Sequence, residues 1–101
     1  MVEFEIVKGD YGRGYVGIVE DVDYSDCTVT LNLWDKNGTA KLTNKACTVT
    51  HVGDDTHVTF VPAINDFDLT PDIYYGNFKF TKAGVVEHTL PFTWRVYEKE
   101  S

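Results

Sequence analysis

The chain has 101 residues, 43% hydrophobic and 14% aromatic, a composition that suits one folded domain and excludes a disordered segment. Its formal net charge is -7, with 9 basic residues against 16 acidic ones, which repels phosphate backbones and argues against a nucleic-acid partner. No stretch approaches the roughly 18 apolar residues of a membrane span, and the acidic opening Met1-Val2-Glu3-Phe4-Glu5-Ile6 lacks the basic region of a signal peptide, so a soluble chain made in the cytoplasm is expected.

Val2, Phe4 and Ile6 alternate with Glu3 and Glu5, which predicts an opening strand with one solvated face. Gly12-Arg13-Gly14-Tyr15-Val16-Gly17 then fits a G-x-G-x-x-G string, but a dinucleotide site needs a helix opening behind it. Ile18-Val19-Glu20 supplies neither cap nor helical period, so the glycines read as a turn and a close approach of backbones. From Cys27 to Asp35, Val29, Leu31 and Leu33 point inward against Thr28, Thr30, Asn32 and Trp34 outward. Asn37-Gly38 predicts a two-residue type I′ turn, with Leu33 facing Leu42 on the buried side and Trp34 facing Lys41 outside. Asn37-Gly38-Thr39 is formally a glycosylation acceptor; without a secretion signal the turn reading is preferred.

A second hairpin joins Cys47–Val52 to His57–Val61 through Gly53-Asp54-Asp55-Thr56. A three-residue loop would set His51 across from His57, the start of a metal site. A four-residue loop pairs Val49 with Phe60, fills the core, and sends His51 inward and His57 outward; this register is expected, with no metal site. Residues 62–71 read as an irregular crossing between sheets, with room for a helical turn. Tyr74, Gly76, Phe78 and Phe80 share one side of the next run, and after Ala83-Gly84 the pattern returns in Phe92, Trp94 and Val96, a long hairpin whose aromatics are core. Residues 1–98 thus form a single domain with a polar tail at 99–101. Seven to eight short strands predict an all-β, immunoglobulin-like antiparallel β-sandwich.

Catalytic chemistry is hard to place. The two serines, Ser25 and Ser101, sit in an acidic turn and at the end of the chain, and Cys27 or Cys47 beside His51 or His88 lacks the electropositive setting a thiolate needs. The cysteines read as buried free thiols, with a disulfide as the alternative. Asp21, Asp23 and Asp26, Asp54 and Asp55, and Asp66 and Asp68 cluster, yet none has the glycine and bidentate glutamate of a calcium loop, and zinc spacing is absent. Neither an enzyme nor a cofactor is expected. Outward aromatics are the stronger lead: Trp34 and Tyr75 by strand parity, and Tyr11, Tyr15 and Tyr24 in or beside turns. Such residues are enriched at interfaces and on sugar-binding faces; for Trp34 the plain alternative is cover by the stem of Lys41.

Gly9-Asp10, Val22-Asp23-Tyr24 leading into Thr28-Val29-Thr30-Leu31, Asn37-Gly38-Thr39, Val58-Thr59-Phe60, Ile73-Tyr74 with Phe78 and Phe80, Gly84, and Pro91 before a closing aromatic strand occur in that order. In this the chain resembles the N-terminal domain of the phage upper-baseplate protein family over nearly its whole length. The resemblance implies an immunoglobulin-like virion module without enzymatic activity: a tail, baseplate, fibre or decoration subunit that binds other virion structural proteins as a homo-oligomer or in a symmetric assembly. A carbohydrate-binding sandwich that adheres to host-surface glycans is the alternative.

Overall fold

A computed structural model describes residues 3–89 and 91–99; the expected strand start at Val2 and the last two residues of the polar tail lie outside them. Nine strands form among these residues: β1 (Glu3–Val7), β2 (Tyr15–Val19), β3 (Thr28–Trp34), β4 (Ala40–Ala46), β5 (Thr48–Val52), β6 (Asp55–Phe60), β7 (Asp72–Lys82), β8 (Val85–His88) and β9 (Phe92–Tyr97). One sheet runs β1-β9-β7-β3-β4, with β8 also on β7, and the other runs β2-β6-β5. This all-β sandwich has the strand order of immunoglobulin-like domains, in which three central strands of one sheet face a smaller sheet of the intervening strands. It is not wholly antiparallel, because β1 runs parallel to β9.

Period-2 alternation fixes the core. Val29, Leu31 and Leu33 of β3, Tyr74, Phe78 and Phe80 of β7, and Phe92, Trp94 and Val96 of β9 are buried, facing Val58 and Phe60 from the smaller sheet. The predicted long hairpin is present, with its return strand interrupted between β8 and β9 where Thr89 bonds to the backbone of Phe78. Tyr74 also donates its hydroxyl to the carbonyl of Thr70 at 2.5 Å, a tyrosine corner that ties the crossing to the start of β7. The crossing contains a turn, and its Phe67 is fully buried, stacked 4.9 Å from Trp94. The three-stranded sheet cannot cover the whole inner face of the larger one, and Phe67 fills part of the difference.

Both turn predictions need correction. At the β3–β4 turn Asn37 does not adopt positive φ; the Asp35 carboxylate accepts from the amides of Asn37 and Thr39, both at 2.9 Å, and Gly38 alone is left-handed, at φ 83°. The loop therefore has three residues with a bulge after it. Leu33 still meets Leu42, while Trp34 stands opposite Ala40 and not Lys41. At β5–β6 the loop is Gly53-Asp54, with φ 62° at the glycine, the φ pattern of a type II′ turn. Val49 accordingly pairs with Val58 and not Phe60. The register moved by two, so each face is kept, but His51 lies at the open margin and is exposed instead of buried.

The Gly12–Gly17 string is half loop and half strand. Gly17 approaches a side chain and not a backbone: a Cβ there would lie 2.7 Å from the Phe78 ring.

Candidate functional site

The outer face of the larger sheet carries half-buried Trp34 and exposed Tyr75 and Tyr97. Trp34 on β3 stands directly across from Tyr75 on β7, and Tyr75 across from Thr93 on β9. One row away Ile73 pairs with Arg95, and Arg95 with Glu5 of β1. The Arg95 guanidinium lies 6.0 Å from the Tyr97 ring and 3.1 Å from Glu3, while the Tyr97 hydroxyl bonds Glu5. Arg95 is held above its ordinary range first by the hydrogen bond to Glu3, and Tyr97 by the bond to Glu5. Tyr75 and Tyr97 remain 37% and 43% exposed, so the patch offers rings to a partner, beside an open depression of about 260 Å³ lined by Ile73, Arg95 and Tyr97.

On the other side of the aromatic pair Asn32 stands across from Asn77. Asn32 Oδ1 accepts from the amide of Asn44 at 3.0 Å, which steadies a left-handed residue in β4. Asn77 Oδ1 and Thr30 Oγ1 are covered and have no hydrogen-bond partner among the described residues.

Of the five aromatic candidates, the structure brings Trp34 and Tyr75 together. Tyr11 is exposed on the loop after β1. Tyr15 stands beside the Gly12–Gly14 loop, where it opens β2, but it faces inward and packs 5.1 Å from Trp94 with Arg13 over its ring at 5.8 Å. Tyr24 stacks on Phe80 at 4.1 Å and bonds Glu87, closing one end of the sandwich, so most of its ring is committed internally. Ile73, Arg95 and Tyr97 join the patch although sequence reading passed them over; the outward parity of β9 was the available signal.

Three of the clustered carboxylates accept hydrogen bonds from the chain. Asp23 accepts from the amide and hydroxyl of Ser25, which hold its carboxyl below the usual range; Asp55 accepts from the amide of Asp21, and Asp66 from that of Ala63. Among the described residues no three His, Cys, Asp or Glu side chains are placed to hold a metal. A cleft of about 190 Å³ lies beside Cys27, with Tyr24 bonded to Glu87 and Lys82 to Asp26 along its walls.

Both cysteines are free thiols. Burial pushes the Cys47 thiol from its ordinary value near 9 up to about 12. The fold thus favours the neutral thiol, and this contribution to stability is complete below pH 9 and lost as pH rises toward 12. Iodoacetamide at pH 8 is therefore expected to label Cys47 far more slowly in the folded protein than in urea; equal rates would show that the thiol is open.

No protein-family model matches the chain, and no curated protein matches it in sequence.

Proposed function

We propose that this sandwich is a non-enzymatic structural or assembly module of a virus particle, a tail, baseplate, fibre or decoration subunit that binds neighbouring virion proteins. The observation that carries the reading is the Trp34–Tyr75 pair, continuous with Ile73, Arg95 and Tyr97 on one broad sheet face. Aromatics and arginine dominate the energetics of protein interfaces. The family resemblance of the turn and core residues supplies the virion context. Affinity purification of the tagged chain from virus-producing cells tests it: capsid or tail proteins are expected with the wild type and depleted by Trp34→Ala with Tyr75→Ala. Recovery of no virion protein would overturn the reading.

A second reading is favoured by one arrangement. Asn32 and Asn77, both half-buried, stand across from each other one row from the two rings, and sugars are held by a mixture of stacking and polar contact. A glycan array decides between the two: binding by the wild type that is lost in Trp34→Ala supports adhesion to host glycans.

A further inference from the structure

Among the described residues β2, in the smaller sheet, has β6 on one side and no strand on the other. An open edge is a template for another chain, and proteins close such edges with lysine, proline, bulges or charges. β2, Tyr15-Val16-Gly17-Ile18-Val19, has none of these, and its register with β6 is unbroken. Its outward side chains are Val16 and Ile18, 48% and 53% exposed. The edges of the other sheet are guarded: β1 turns Glu3 and Glu5 outward, and β4 carries Lys41, Lys45 and two register shifts.

We propose that two copies of this chain pair antiparallel through β2 about a two-fold axis at Gly17, joining two three-stranded sheets into one of six strands. In that register Val16 lies opposite the partner's Ile18 and Ile18 opposite the partner's Val16, four β-branched side chains in one cluster on the outer face. The charges at the strand ends are self-complementary. Arg13, in the loop two residues before β2, and the partner's Asp21, in the turn two residues after it, lie at the same end of the paired strands, and the symmetry brings such a pair together twice. Arg13 is the sole Lys or Arg between Lys8 and Lys36. Among the described residues neither it nor Asp21 has an ion-pair partner within its own protomer. A second copy supplies what each lacks. The two-fold pairing uses the same edge on both chains and closes on itself, so it stops at a dimer.

A five-residue strand pair with four apolar side chains is smaller than a standard interface of about 1,600 Å², and a dissociation constant in the micromolar range, roughly 10–100 μM, is expected. Sedimentation equilibrium of the purified full chain across that range tests the pairing, independently of any virion partner. The wild type is expected to pass from monomer to dimer and no further. Ile18→Lys, at an exposed position, is expected to raise the dissociation constant at least about tenfold while leaving the circular-dichroism spectrum unchanged. Arg13→Glu, which sets like charges opposite each other, is expected to weaken the dimer, whereas Lys36→Glu, the same change in net charge on the β3–β4 turn, leaves it intact. A monomer at every concentration, growth beyond the dimer, or equal effects of Arg13→Glu and Lys36→Glu would overturn the proposal.

Discussion

Trp94→Ala is expected to remove a large part of the stability of this domain. The indole is fully buried, stacked 4.6 Å from Phe4 and 4.9 Å from Phe67, with the Tyr15 and Phe60 rings edge-on to it. It touches β1, β2, β6 and the crossing at once, so none of them can collapse into the space without giving up its own contacts. Truncating a buried tryptophan costs about 3–5 kcal/mol, against a total of about 5–15 kcal/mol for a domain. With a urea m-value of about 2 kcal/mol/M the midpoint falls by roughly 2 M. Trp94→Phe should cost much less than the ring area alone implies, because the indole N–H is buried without a partner and its loss relieves a desolvation penalty of about 1–3 kcal/mol. Equal losses for the two variants would contradict this account.

Gly76→Ala is the second large effect. A Cβ built there lies 2.9 Å from the backbone carbonyl oxygen of Asn32, 3.2 Å from Leu33 Cδ1 and 3.5 Å from the Phe92 ring. The carbonyl belongs to β3, held in the ladder on both sides, and cannot retreat unless β3 and β7 separate. Overpacking of this kind costs about 1–3 kcal/mol. Replacing a glycine otherwise gains about 0.4–1 kcal/mol by restricting the unfolded chain, so an unchanged midpoint in the same urea titration would show that the strands can yield. Gly76 lies two residues after the corner tyrosine, where antibody domains carry the second cysteine of their inter-sheet disulfide. Here glycine lets the strands close up, and ring packing takes the place of the covalent bond.

Alternation made the long strands legible. The faces of β3 and β7 follow from their sequences, and with them the outward positions of Trp34 and Tyr75; that these two lie side by side required the register, which parity does not fix. The turns were harder. Asn37-Gly38 has the residues for a type I′ turn, but the Asp35 carboxylate captures two loop amides and stabilises a different loop. Gly53 closes its hairpin after two residues, and the side-chain faces agreed with expectation because a shift of two keeps them. Phe67 carries no periodic signal, since it comes from an irregular segment and is buried by what the smaller sheet leaves uncovered. The same holds for Tyr15 and Tyr24, whose neighbours are remote in sequence.

The parallel pairing of β1 with β9 matches Glu3 with Thr93 and Val7 with Tyr97, partners ninety residues apart. During synthesis at about 5–20 residues per second, β1 leaves the ribosome roughly 5–20 s before its neighbour exists, and closing so long a loop places its docking late in folding. Throughout that interval Phe4 lacks the Phe92 and Trp94 rings it packs against in the folded domain. Glu3 and Glu5, which bond Arg95 and Tyr97 in the finished fold, then also serve the nascent chain: polysomes bring many unfinished copies together, and two like-charged β1 segments resist pairing with each other.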